Sequence, residues 1–193
     1  VIFSDRFSEA LVFALGLHND QVRKGTKTPY MAHLLAVTAI VLENGGDEDQ
    51  AIGALLHDAA EDRGGGVKTL FEIQKRFGER VSRIVQACSD SVLEEGQEKT
   101  AWQPRKEIYL KFIQEKPADA ILVSLADKIH NSRAILSDYR EIGETLWQRF
   151  KGGRDGTLWY YRALFEAFKP VGPERMVNEL KRTIEELEKL AKQ

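Results

Sequence analysis

Between Ala51 and Asp62 the chain reads AIGALLHDAAED, four ionisable side chains set among Ala, Ile, Leu and Gly. Drawn as one helix, Glu61, Asp58 and Asp62 fall at about 40°, 100° and 140° from His57, so all four share a side. Ala54, Ala51 and Leu55 occupy the same arc, and Leu56, Ile52, Ala59 and Ala60 cover the other. A helix apolar almost all round is a buried helix, whereas a merely solvated charged face needs its apolar stripe on the opposite side only. A buried His, two Asp and a Glu must be paired, hydrogen-bonded or metal-bound, because isolated burial of a charge costs many kcal/mol. The stretch therefore reads as a site, most simply a metal site. Neighbouring His57 and Asp58 offer one imidazole nitrogen and one carboxylate oxygen, but two ligands do not make a cage.

Further ligands have to come from other elements. His33 lies mid-helix among Leu34, Leu35, Val37 and Ile40. A lone histidine on an apolar face is usually a hydrogen-bonded core residue, but a ligand cluster waiting elsewhere changes that reading. Ile121 to Asp127, ILVSLAD, repeats the central pattern of an apolar helix delivering one carboxylate. Asn131, four residues on, shares its face. His33, His57, Asp58 and Asp127 would make a set of two imidazoles and two carboxylates.

Helical periodicity runs from end to end, with no convincing alternating strand. Ser4 reads as the cap of a helix carrying Phe7, Ala10, Leu11, Ala14 and Leu17. A short basic loop, Val22 to Thr28, follows, and Pro29 opens a helix from about Tyr30 to Glu43. Asp47 caps the central helix, which is expected to run unbroken until Arg63-Gly-Gly-Gly. Two shorter helices, about Thr69 to Phe77 and Glu79 to Ala87, precede a polar loop from Ser89 to Gln97. Helices are then expected at Gln103 to Gln114, from Pro117 through Tyr139, over Thr157 to Phe168 after a Gly152–Gly156 loop, and over Glu174 to Ala191. The fold class is all-α, a bundle of about ten helices.

At 193 residues the chain has the length of one domain. Its 28 basic and 30 acidic residues give a net charge of −2, so no global field recruits nucleic acid or an anionic membrane. Cys88 is the one cysteine, which rules out an internal disulfide. The apolar runs fall far short of the roughly 20 residues of a membrane span. A cytoplasmic protein is the expectation.

His33, His57-Asp58 and Asp127 together resemble the HD superfamily of metal-dependent phosphohydrolases, in which those four positions bind the metal. The flanking blocks narrow the resemblance. RKGTKTPYMAH (Arg23 to His33), ALLHDAAED (Ala54 to Asp62) and LADKIHNSR (Leu125 to Arg133) are similar to the hydrolase domain of RelA/SpoT-type proteins, which act on the alarmone (p)ppGpp. Among these, the chain looks like the stand-alone small alarmone hydrolases, the metazoan SpoT homologue included. The similarity runs from about Phe7 to Phe168 within one HD-type unit over 1–193. Ser124 stands where the family's KLAD usually has Lys, and Ala59-Ala60 replaces a bulkier pair.

The resemblance implies hydrolysis of the 3′-pyrophosphate of (p)ppGpp, leaving GDP or GTP and pyrophosphate. It implies Glu61 and Asp62 as the residues that accept a water proton and orient the water. A purely structural role for them is unfavourable, since carboxylates near a helix C-terminus oppose the macrodipole. Arg23 and Lys24 supply local positive charge for an anionic nucleotide. Asn131 is a candidate for ribose or phosphate, and Lys106, Arg154 and Tyr160 for the distal phosphates, while His130 reads as structural. The donor set suits Mn, Fe, Zn or Co, and the resemblance favours Mn²⁺. Two alternatives stand beside this reading: an HD phosphohydrolase acting on a dNTP or on NADPH, and a non-catalytic alarmone-binding sensor.

Overall fold

Capping and apolar periodicity decide where the helices begin. A computed structural model describes residues 2–62, 66–90 and 101–192, with the backbone alone at Asp62. Helix α1 (Asp5–His18) starts at Ser4, whose Oγ accepts from Arg6 N–H, and buries Ala10, Ala14 and His18. Helix α2 (Tyr30–Glu43) buries His33, Leu34, Val37, Thr38, Ile40 and Val41. Helix α3 (Glu48–Leu56) opens with a reciprocal capping box: Asp47 accepts from Gln50 N–H, and the Gln50 side chain accepts from Asp47 N–H. Every residue of α3 from Ala51 to Leu56 is buried, as its all-round apolar character requires.

The central helix is not continuous. His57 and Asp58 form a turn, and a short helix α4 (Ala59–Asp62) follows. The His57 ring turns back to the Ala54 carbonyl with Nδ1 2.8 Å away, and Glu61 N–H closes the next turn on the Asp58 carbonyl at 3.2 Å. The straight-helix projection onto one arc therefore does not hold for Glu61 and Asp62 relative to His57.

Helices α5 (Gly66–Phe77) and α6 (Glu79–Cys88) form a pair. The expected loops at 63–66 and 89–97 fall mostly outside the described residues, although Gly66 already belongs to α5. Helix α7 (Trp102–Lys111) leads through a 3₁₀ turn into the long α8 (Ala118–Ile142), twelve of whose residues are buried. A second 3₁₀ stretch precedes α9 (Gly153–Phe168), and α10 (Glu174–Leu190) closes the chain against α8 and α9. The C-terminal tail is packing: α10 buries Met176, Val177, Leu180, Thr183, Ile184 and Leu187 on one face.

Gly152–Gly156 is also not the expected loop, because Gly153 begins α9. These glycines make room rather than end a helix. A Cβ on Gly152 would lie 2.6 Å from the Trp102 ring, and one on Gly156 3.3 Å from it. Helix α7 thus docks its aromatic start directly on the first turn of α9.

Two apolar clusters fill the molecule, one around α8, α9 and α10, the other among α1, α3, α5 and α6. Helices α2, α3 and α6 contribute to both: Val37 and Leu34, Ala54 and Ile52, Ile84 and Val81 point to different clusters. This shared layer carries His33 and leads into His57. Among the described residues the one β feature is an isolated bridge between Val22 and Pro29, which pins the basic loop closed ahead of α2. No helix among them is long and apolar enough to cross a membrane.

Candidate metal centre and its cleft

Packing of α2 against α3 and α8 brings His33, the turn at His57-Asp58, and Asp127 of α8 to one point. His33 Nε2 and His57 Nε2 are 3.3 Å apart. Asp58 Oδ2 lies 2.9 Å from His57 Nε2 and 3.5 Å from His33 Nε2. Asp127 Oδ1 lies 3.3 Å and 3.6 Å from the same two nitrogens. Donor atoms of His33, His57 and Asp58 all sit within 4.8 Å of one another, with Asp127 against both imidazoles.

The hydrogen bonds on the far side of each ring decide what this cluster can hold. A carbonyl only accepts, so His57 Nδ1 carries the proton it gives to Ala54 O, and Nε2 is the ring nitrogen turned to the cluster. His33 Nδ1 faces His130 Nδ1 at 2.7 Å. Burial, with His33 and Arg23 close by, pushes His130 down to about 4, so its ring is neutral; the two Nδ1 atoms share one proton, and His33 turns Nε2 to the cluster. Burial works against a charge on His57, but Asp58 and Asp127 outweigh it and raise the ring's pKa well above the ordinary imidazole value. The cluster therefore calls for positive charge at this point, which a divalent cation in place of the Nε2 proton would supply. Octahedral or tetrahedral ligands about 2.1 Å from a divalent ion are separated by about 3.0–3.4 Å, close to the spacings found. The donor chemistry fits a divalent metal.

Around the cluster the carboxylates are held in place. Tyr30 donates its hydroxyl to Asp58 Oδ2 at 2.6 Å, and its ring stacks on buried His18. Asp127 receives Lys128 Nζ on Oδ2 at 2.6 Å and Asn131 Nδ2 on Oδ1 at 2.5 Å. Burial alone would raise the Asp127 carboxyl, but Lys128 and the two histidines hold it well below the usual range. Asn131 in turn accepts from Arg23 Nη2 at 2.8 Å, so a chain of hydrogen bonds runs from the basic loop to the cluster.

The cluster opens into a cleft of about 690 Å³. Arg23, Lys24, Glu61, Lys106, Asn131 and Tyr160 all line it. Lys106 Nζ stands 5.0 Å over the Tyr160 ring and donates to Asp90 Oδ2 at 2.6 Å. Arg105 Nη1 donates to the other oxygen of Asp90 at 2.5 Å, and Asp90 N–H donates to Glu61 Oε2 at 3.3 Å. The Tyr160 hydroxyl is buried and has no hydrogen-bond partner among the described residues. Acidic and basic walls therefore meet in one depression, an arrangement suited to a metal and an anionic ligand together.

Residues 10–158 match the family model of the HD domain. The chain belongs to the HD-domain family. This HD-domain protein is 38% identical over 128 residues to the guanosine-3′,5′-bis(diphosphate) 3′-pyrophosphohydrolase MESH1 of Xenopus tropicalis, with 65% of this chain and 66% of that protein aligned. The MESH1 of Drosophila melanogaster is 32% identical over 67% of this chain and 69% of its own. The 3′-pyrophosphohydrolase of Aquifex aeolicus is 35% identical over 68% of this chain but only 18% of its own length. The chain thus spans just under two thirds of the Xenopus relative and less than a fifth of the Aquifex one. In fold, it superposes on a metazoan orthologue of SpoT with a TM-score of 0.75 at 23% identity, covering 96% and 97% of the two chains.

Of the residues expected in the site of this HD-domain protein, the four cluster members converge and five more line the cleft with Glu61. The Asp62 side chain lies outside the described residues. Arg154 is the exception: it does not line the cleft and donates instead to the Ala191 carbonyl at the end of α10. Its place near the start of α9 turns it to the C-terminal helix rather than to Tyr160. His130, read as structural, is the orienting partner of His33. Tyr30 also escaped the sequence reading, although it stands three residues before His33 on the same helix face; Lys128, read beside Asp127 as part of a face that could meet a ligand, bonds that carboxylate. Asp90 and Arg105 gave no local signal, because their partners are remote in the chain.

Proposed function

We propose that this protein is a metal-dependent phosphohydrolase that removes the 3′-diphosphate of (p)ppGpp, yielding GDP or GTP and pyrophosphate. The observation that carries the reading is the convergence of two imidazole Nε2 atoms and two carboxylates at one point, open to a cleft whose other wall is basic. The names of its relatives support the nucleotide. His33, His57, Asp58 and Asp127 would hold the metal. When bound, a divalent cation lowers the pKa of water and withdraws charge from a phosphoryl oxygen. Resemblance favours Mn²⁺ as that cation.

The chain's own residues supply the rest. Glu61 accepts a proton from the attacking water, and Asp62 orients it. The water oxygen bonds to the 3′ phosphorus, the bond from that phosphorus to the ribose 3′ oxygen breaks, and that oxygen takes up a proton as pyrophosphate departs. Arg23, Lys24 and Asn131 hold ribose and phosphate oxygens, and Lys106 with the Tyr160 hydroxyl receives the distal phosphates. The whole chain acts as one unit, since α2, α3 and α6 serve both apolar clusters, and its place of action is the cytoplasm.

Product analysis tests the reading. Incubation of the protein and Mn²⁺ with ppGpp, dGTP or NADPH in parallel should release GDP and pyrophosphate from ppGpp. Intact ppGpp beside cleavage of another nucleotide would reassign the substrate. Binding of ppGpp with no cleavage of any of the three would favour the sensor.

A further inference from the structure

One residue with a buried carboxylate touches two residues of the cleft wall, Lys106 and Glu61, without touching the metal cluster. Asp90 follows the C-terminal end of α6, with its side chain 4% exposed. It accepts Arg105 Nη1 and Lys106 Nζ from α7, one on each oxygen. Its backbone N–H donates to Glu61 Oε2, and Arg105 Nη1 lies 3.9 Å from the other Glu61 oxygen. Among the described residues α7 packs chiefly on α9, and α4 on α5 and α6. A carboxylate this buried is retained only where its charge is matched, and here two cations match it. Burial would raise its carboxyl, but Lys106 and Arg105 outweigh burial and hold it well below the usual carboxylate range, so it stays ionised.

From this geometry we infer that Asp90 is a positioning residue for the hydrolysis, fixing Lys106 over Tyr160 and Glu61 at the cleft wall through a single buried carboxylate and its backbone N–H. The inference rests on the function proposed above for Lys106 and Glu61. Its sign is distinctive. Removing a negative charge beside two cations strengthens ground-state attraction for a phosphate, so KM should not rise. Loosening Glu61 and Lys106 weakens alignment in the transition state, so kcat should fall.

The test is Asp90→Asn, which keeps the shape and removes the charge, compared with Asp90→Glu, which keeps the charge but shifts it by one methylene. With ppGpp and Mn²⁺, kcat should fall by about tenfold in both variants, as displacement of a positioned group predicts. KM should stay level or drop in Asp90→Asn, and bound metal per chain should match wild type. A kcat within twofold of wild type in either folded variant overturns the inference; so does a rise in KM with kcat unchanged. A readout independent of turnover separates this from the function proposal. Acylation of Lys106, followed by peptide mass spectrometry, should be several-fold faster in Asp90→Asn once the clamp is gone. An unchanged rate overturns the clamp whatever nucleotide the enzyme cleaves, whereas a faster rate with ppGpp left intact by wild type upholds the clamp and retires the substrate assignment.

Discussion

His57 spends its Nδ1 proton on a backbone carbonyl and His33 faces His130 through its own Nδ1, so both rings turn Nε2 to the same point. The carboxylates need anchoring as well, and Tyr30 provides it for Asp58 through a 2.6 Å hydrogen bond. Partners at this remove typically set metal affinity by about 10–100-fold. Tyr30→Phe, which deletes only the hydroxyl, should accordingly weaken Mn²⁺ binding by about tenfold in a calorimetric titration; wild-type affinity would mean that Asp58 is held by its own turn. Glu61 makes the opposite prediction. Glu61→Gln should lower kcat by about 10²–10⁴-fold, the usual contribution of a general base, while metal content remains that of wild type. Loss of metal together with activity would show that Glu61 supports the cluster rather than the water.

At the scale of elements, the decisive event is the interruption after Leu56. A continuous helix would sweep His57, Asp58, Glu61 and Asp62 along one regular arc; the turn lets two adjacent residues reach the same cluster and sets Glu61 on the cleft wall beside Asp90. The start of α3 is equally defined. Asp47 caps it and receives Arg80 Nη1 at 2.7 Å, while Arg80 Nε reaches Asp119 of α8 at 3.0 Å, so one arginine ties three helices together. Burial is the largest single influence and opposes the Asp47 charge, but the Gln50 N–H and Arg80 together outweigh it and hold its carboxyl below the ordinary value. A group depressed in the folded state stabilises fully above its unfolded pKa of about 3.9 and loses that contribution as pH falls through the lower folded value. Asp47→Asn, which keeps the cap but removes this charge, should therefore lower Tm near neutral pH, where the charge contributes fully, and flatten its fall in acid. An acid limb identical to that of wild type would contradict this.

Across the whole molecule, what could be read from sequence was what depends on neighbours along the chain. Period-3.6 apolar spacing announced α1, α2, α8 and α10, and the caps Ser4 and Asp47 stand where their types predict. The cluster members were legible because burial of charge is anomalous in helices as apolar as α3 and α8. Contacts between remote segments were not: the Trp102 ring that occupies the space left by Gly152 made a helix start resemble a loop, and nothing near Arg154 announced the Ala191 carbonyl. The break at His57 was hidden for a related reason, since Ala-rich flanks give no sign that a side chain will bond the carbonyl three residues back.

The catalytic predictions lean on one proposal about the assembly of α2, α3 and α8: a divalent ion at the cluster that turnover requires. The direct measurement is bound metal per chain alongside ppGpp hydrolysis, before chelation, after it, and after Mn²⁺ is restored. One ion per chain, with activity lost on chelation and regained with the ion, is the predicted result. Full hydrolysis by metal-free protein would contradict it.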